Sequence, residues 1–205
     1  MNILSWNCQG LRRSQTVQEL VCLVRIHSPK IVFLSKTRQS DDWVRNLRWR
    51  LELQNCLTIK GEGKGGGVAL FWDEGLTVDL QSMGEHHIDV LLKMSLSAPW
   101  LMIGDSNEAM WSFEHFSSTR RRERQMLDFW EVLSYCELYD IGFSGIPWTY
   151  DNKQEGEHNH LVSSRSDHCP ILLMVETKWR EPRQRRCMRL LGLVLGGNMR
   201  GIFPN

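Results

Sequence analysis

The sequence predicts an α+β fold, a mixed sandwich of β-sheets with helices on the outside. Two observations lead to this fold class. Near both ends of the chain, short apolar segments typical of buried strands alternate with amphipathic helical segments. Between those ends, several strand-like segments follow one another with only short turns, which is typical of antiparallel hairpins. We therefore expect strands joined by crossover helices at the ends and hairpins in the middle.

The first elements are two buried strands separated by a helix. Residues 2–6 (NILSW) and 31–34 (IVFL) are the strand segments. Between them, Thr16 and Glu19 have the spacing of a capping box, and apolar residues recur at helical spacing until Pro29 ends the helix. Because a helical crossover joins parallel strands, we expect these two strands to run parallel.

The middle and C-terminal parts of the chain are richer in strands. A helix with apolar residues on one face is predicted over residues 41–51. A second, strongly amphipathic helix should start near Ser118 or Thr119 and include Leu133. The remaining segments predict strands at residues 56–60, 68–72, 77–80, 88–94, 100–103, 147–150 and 171–175.

Charge is distributed unevenly along the chain. The formal net charge is only +1, yet the segment from Lys178 onward carries seven Lys or Arg residues and one acid. A basic segment can bind nucleic acid through phosphates, but solvated, disordered ends have the same composition. We interpret residues 1–177 as one domain and 178–205 as a basic, disordered tail. No apolar stretch is long enough to span a membrane and no signal peptide is recognised, so we expect an intracellular protein.

Polar residues stand next to predicted strands at three places. Asn7 follows the first strand, the segment 105–108 (DSNE) follows the apolar run 100–103, and 166–168 (SDH) precedes the last strand. In an extended segment Asp105 and Asn107 point to the same side. Their carboxylate and amide oxygens suit a hard cation or a phosphate site. The same D-x-N pattern is also typical of an ordinary turn.

In this order, and with the residues that follow the second strand, the three sites resemble the endonuclease/exonuclease/phosphatase family. The resemblance is closest to the endonuclease domain of plant LINE-type (non-LTR) retroelements and covers roughly residues 1–175. It rests on the segments Trp6-Asn7-Cys8, Leu34-Ser35-Lys36-Thr37, Gly65-Gly66-Gly67 before Val68-Ala69-Leu70-Phe71-Trp72, Arg124-Gln125-Met126 and Asp140-Ile141-Gly142-Phe143.

This resemblance implies a four-layer sandwich, two mixed sheets between helices, that hydrolyses phosphodiesters with Mg²⁺ or Mn²⁺. By analogy, Asn7 would hold the metal or phosphate, and Asp105 would orient or deprotonate the attacking water. Asn107 would bind phosphate or metal beside it. Asp167 would lie in the metal's neighbourhood, and His168 would contact the scissile phosphate.

The sequence also departs from the family pattern. Lys36 stands where the family has a metal-binding Glu, and a cation there repels Mg²⁺. Two segments are missing, between residues 94 and 98 and between residues 160 and 163. The second normally carries the Asp that orients the histidine, so His168 would lack this partner. We therefore expect a truncated sandwich with weakened Mg²⁺ binding.

These departures predict a degenerate Mg²⁺-dependent phosphodiesterase, DNA endonuclease-like and derived from a LINE-type retroelement, with little or no catalytic activity. Two alternatives remain open: a non-catalytic nucleic-acid-binding remnant, and a gene-model product without selected function. DNA is the expected partner and the nucleus a plausible location. The glycine cluster around Lys64 lacks the order of a phosphate-binding loop, so no nucleotide cofactor is expected. The predicted nucleic-acid contacts are Lys36, Lys64, Arg183, Arg185 and Arg186.

Overall fold

The computed structural model describes residues 1–61, 66–94, 101–108, 111–112, 122–141, 144, 166–175, 186–196 and 199–204. Within these residues the chain forms three helices and eleven strands. In chain order they are β1 (Asn2–Asn7), α1 (Ser14–His27), β2 (Ile31–Ser35), α2 (Asp41–Leu51), β3 (Asn55–Ile59), β4 (Val68–Trp72), β5 (Thr77–Gly84), β6 (His87–Met94), β7 (Leu101–Asn107), α3 (Glu123–Tyr135), β8 (Leu138–Asp140), β9 (Ile171–Met174), β10 (Arg186–Gly196) and β11 (Met199–Pro204).

The strands form two mixed sheets. The first has the order β3-β4-β2-β1-β9, and the second has the order β5-β6-β10-β7-β11-β8. In the first sheet β1 and β2 run parallel, as the intervening α1 predicts, and the other neighbours are antiparallel. In the second sheet β7 and β10 are the parallel pair. The predicted α+β fold of two mixed sheets with flanking helices is confirmed.

Two hydrophobic cores cover the two faces of the first sheet. Alternation along β1 sends Leu4 and Trp6 towards α1 and α2, while Ile3 points the other way. On that second face, Ile3 and Phe33 pack with Ile103 of the second sheet. Because both faces are covered, β1 and β2 are almost continuously buried, which explains why most of their residues are apolar.

Two predicted helix starts are wrong. Helix α1 begins at Ser14, and its N-cap residue Arg13 makes no side-chain capping bond. Thr16 lies within the first turn of this helix and is buried, so burial of this turn takes precedence over the capping box. Helix α3 begins at Glu123, because Arg122 before it is extended. None of the helices within the described ranges is long and apolar enough to cross a membrane.

The C-terminal segment differs from the predicted disordered tail. Residues 186–196 and 199–204 form β10 and β11, and both strands pair with β7 in the second sheet. The run LLGLVL at 190–195 has the apolar character of an internal strand, which the count of basic residues obscures. The domain boundary at residue 177 stays a prediction, and the strand predicted at 147–150 lies outside the described residues.

Candidate functional site

The predicted site residues come from four separate segments that meet at one end of the sandwich. Strands β1 and β2 end side by side, and β7 packs against them across the core between the sheets. The loop before β9 returns to the same place, since β9 pairs with β1. The structure thereby brings together the side chains of Asn7, Lys36, Asp105, Asp167 and His168.

Asp105 is the centre of this cluster and is completely buried. The side-chain amide of Asn7 donates a hydrogen bond to Asp105 Oδ2 over 2.5 Å. Lys36 Nζ and His168 Nε2 each lie 3.7 Å from the same oxygen. Burial raises the pKa of Asp105 to about 7, although Lys36 and Asn7 act in the opposite direction. Near neutral pH the protonated and ionised forms of this carboxyl group are therefore both populated.

His168 is fixed through its backbone as well as its ring. Its carbonyl oxygen accepts a hydrogen bond from the Trp6 indole over 2.9 Å, and its backbone N–H donates to Ser166 Oγ over 3.1 Å. The hydroxyl of Ser166 donates in turn to the carbonyl oxygen of Asn7 over 2.7 Å. His168 Nε2 also lies 3.7 Å from Asp167 Oδ1. Burial lowers the pKa of His168 to about 4, so the imidazole is neutral at pH 7.

Lys36 is placed at the cluster by a tightly connected loop. Its backbone is in the left-handed region with φ of 53°. Beside it, Ser35 and Thr37 accept backbone hydrogen bonds from Cys8 and Leu11, which joins the segments after β1 and β2. Non-glycine residues in this conformation cost on the order of 1 kcal/mol and cluster at functional sites, where the surroundings maintain them. The Lys36 side chain is 19% exposed, so its ammonium group is directed into the site.

The residues present do not fit a Mg²⁺ ion well. Mg²⁺ requires oxygen ligands in near-octahedral geometry and is repelled by an ammonium group. In this cluster Asp105 Oδ2 is already contacted by the Asn7 amide, and Lys36 lies beside it. Within the part of the chain that the structure describes, no group of three or more His, Cys, Asp or Glu residues is arranged to hold a metal.

The same groups can still interact with a phosphate. The Lys36 ammonium supplies one positive charge, and neutral His168 can donate a hydrogen bond. Asp105, with its pKa raised to about 7, can accept a proton from a water molecule. The arrangement thus contains a base and a cation side by side. The predicted roles of the individual residues stay predictions.

Some residues that support the site were not predicted as functional. Ser166 and Trp6 hold the backbone of His168, and both lie in motifs already recognised in the sequence. A Ser two residues before His168 is the local signal for such a turn. At the end of β7, Gln125 of α3 donates to both carboxylate oxygens of Glu108 over 3.0 and 2.9 Å.

For several residues predicted to bind the metal, phosphate or nucleic acid, the structure does not describe the side chain. The backbone of Asn107 ends β7, two residues after Asp105, but its side chain is not described. Arg186 opens β10, and its side chain is likewise not described. Lys64, Arg183 and Arg185 lie outside the described residues.

The fold, however, can be compared with solved structures. No protein-family model matches the sequence, and neither does any curated protein. The AP endonuclease LMAP from Leishmania major aligns with a TM-score of 0.52 and 11% identity over 68% of each chain. The endonuclease domain of TRAS1, a telomere-specific non-LTR retrotransposon, aligns with a TM-score of 0.55 and 14% identity, covering 83% of this chain and 95% of that domain. The chain therefore has the mixed, two-sheet α+β fold of these endonucleases.

Proposed function

We propose that this chain is a degenerate, DNA endonuclease-like phosphodiesterase domain of LINE-type retroelement origin, with little or no catalytic activity. The observation that carries this proposal is the position of Lys36. Its ammonium nitrogen lies 3.7 Å from Oδ2 of the buried Asp105. A positive charge fixed at this carboxylate competes with any divalent cation for the same oxygen.

The effect of Lys36 on metal binding is electrostatic. At an effective dielectric of 20, two unit charges about 4 Å apart interact by roughly 4 kcal/mol, and a divalent ion doubles that repulsion. Replacing an anionic ligand by a cation removes an attraction and adds a repulsion at the same place. Loss of one ligand commonly reduces metal affinity or activity by orders of magnitude. We therefore expect weak Mg²⁺ and Mn²⁺ binding and slow hydrolysis.

The retroelement origin and the DNA substrate have a different basis. The TRAS1 domain, an endonuclease domain of a non-LTR retrotransposon, is covered over 95% of its length. The motifs Trp6-Asn7-Cys8 and Arg124-Gln125-Met126 give the chain its likeness to plant LINE-type domains. Because one fold serves several phosphoester substrates, these likenesses make DNA a proposal that needs its own assay. Action on chromosomal DNA would place the protein in the nucleus.

A nicking assay on supercoiled DNA tests the proposal directly. We expect the natural chain to nick DNA no faster than its Asp105→Ala variant in Mg²⁺ or Mn²⁺. The variant Lys36→Glu restores an anionic side chain and should bind Mn²⁺ more tightly in a calorimetric titration. Lys30→Glu is the matched control, because Lys30 is 52% exposed and pairs with Asp73 away from the site. Rapid Mg²⁺-dependent nicking by the natural chain, abolished by Asp105→Ala, would refute the loss of activity.

A second candidate function is metal-independent nucleic-acid binding by the same cluster. It is favoured by the Lys36 ammonium, which can hold a phosphate where a metal ion would otherwise be needed. We then expect salt-dependent DNA binding in EDTA that weakens in Lys36→Gln. Deletion of the C-terminal segment would remove β10 and β11, so the contribution of the tail is better tested by Arg183→Glu with Arg185→Glu. Unchanged affinity in all these variants would exclude this function.

A further inference from the structure

A groove between α1 and α2 lies outside the site described above. Its volume is about 450 Å³, and Arg25 of α1 and Trp49 and Arg50 of α2 are among its lining residues. Both helices cover the face of the first sheet that points away from the second sheet. Trp49 lies eight residues after the start of α2, which is about 12 Å along the helix from the end that follows Lys36. The groove is therefore separate from the Asp105 cluster.

Trp49 is unusually accessible for a large aromatic residue. It is 66% exposed, whereas Val44, Leu47 and Leu51 form the buried face of the same helix. The guanidinium of Arg48 lies over the indole ring, 4.7 Å from the ring centroid. A cation on one face of an aromatic ring leaves the opposite face as a flat stacking surface. At 66% exposure, the indole is accessible to a ligand.

The charges around the groove are mainly positive. Arg25 and Arg50 line it, and Glu52 is the acidic residue among the described lining residues. Basic residues in the last turn of a helix also stabilise the helix dipole, which is sufficient to explain the arginines alone. It does not explain an exposed indole in the same groove. A groove that combines an aromatic stacking surface with guanidinium groups is typical of proteins that bind single-stranded nucleic acid.

We propose that this groove binds a segment of single-stranded nucleic acid. One base stacks on the open face of Trp49, and Arg25 and Arg50 pair with neighbouring phosphates. Stacking on an indole is sequence-tolerant, because every base has a π-face. An acidic peptide would satisfy the arginines but would leave Trp49 without a matching group. This inference does not depend on the proposed function of the Asp105 cluster.

Fluorescence anisotropy with a labelled short oligothymidylate in EDTA tests this proposal without metal-dependent chemistry. We expect Trp49→Ala to weaken binding about 5- to 150-fold. Trp43→Ala is the matched control, because Trp43 is on the same helix, is 37% exposed and does not line the groove. Arg25→Gln and Arg50→Gln should each reduce the slope of log affinity against log salt by about 0.7. Arg45→Gln, on the same helix outside the groove, should leave that slope unchanged.

Photocrosslinking locates the contact independently of the variants. An oligonucleotide containing 5-iodouracil should crosslink to the peptide that contains Trp49. The proposal is overturned if Trp49→Ala binds like Trp43→Ala, or if crosslinks form only elsewhere. It is also overturned if polyglutamate displaces the oligonucleotide and itself binds Trp49→Ala as tightly as the natural chain. Should Trp49→Ala fail to fold, the salt slopes of the two arginine variants and the crosslink decide the outcome.

Discussion

Replacing Asp105 by Asn should change how the stability of the fold depends on pH. In the natural chain the pKa of Asp105 is raised from 3.8 to about 7. Between these two pH values the folded state therefore binds a proton at Asp105 that the unfolded state does not bind. Its contribution to stability is complete below the unfolded pKa and is lost as pH rises through about 7. The pKa of His168 is lowered from 6.5 to about 4, which has the opposite effect. Its contribution is complete above pH 6.5 and is lost as pH falls through about 4.

The two contributions nearly cancel over the same pH range. One pKa unit corresponds to about 1.4 kcal/mol, so the shift of Asp105 amounts to about 4 kcal/mol and that of His168 to about 3 kcal/mol. Between about pH 4 and 6.5 the pair therefore leaves stability almost flat. Asp105→Asn removes the pH-dependent contribution of Asp105 and leaves that of His168. The free energy of unfolding of the variant should rise by up to about 3 kcal/mol over that range because only the histidine effect remains.

Urea unfolding at several pH values measures this difference. Plotted against pH, the free energy of unfolding of Asp105→Asn should rise more steeply than that of the natural chain. His168→Gln should show the reverse, with stability falling as pH rises. Asp79→Asn serves as the control, since Asp79 is a half-exposed carboxylate paired with Lys93. Parallel curves for the natural chain and Asp105→Asn would refute the assignment of a buried, proton-binding carboxyl group at this position.

Two further predictions concern other parts of the fold. Removing residues 186–204 leaves both edges of β7 without their neighbours, so we expect the shortened chain to unfold at clearly lower urea concentration, and an unchanged midpoint would contradict this sheet order. Burial raises the pKa of the Cys8 thiol to about 11, so in the folded chain Cys8 should react with a disulfide reagent far more slowly than the exposed Cys22. Equal rates, measured by mass spectrometry of the labelled peptides, would show that Cys8 is not buried.

Some elements could be predicted with their bounds from local sequence patterns. Helix α2 and strand β4 have the predicted bounds, because each has an apolar pattern that ends abruptly at polar or glycine residues. The parallel pairing of β1 and β2 followed from the helix between them. In each of these cases, neighbouring residues along the chain contain the information that determines the structure.

The position of β10 could not be predicted in this way. This strand lies between β6 and β7, and it pairs with segments that lie about 90 to 105 residues earlier in the chain. An apolar run such as 190–195 indicates that a strand can form, but it does not indicate which edges will accept it. The basic residues that flank this apolar run led to the prediction of a disordered tail instead of a strand. The choice of sheet neighbours depends on edges that exist only after the rest of the sheet has formed.

For the Asp105 cluster, one part could be predicted from local sequence patterns and another part depends on contacts between distant segments. The sequence indicates which residues follow strand ends, but the pKa of Asp105 depends on burial, which arises from contacts between the two sheets. Because Asp105 is buried, Lys36 affects the stability of the fold as well as metal binding. A buried carboxylate must be stabilised by a cation or take up a proton, and the Lys36 ammonium is a cation that the chain carries itself. A single substitution at this position can therefore weaken metal binding while it supports the fold around Asp105. Stability and divalent-ion affinity should consequently change in opposite directions in Lys36→Glu.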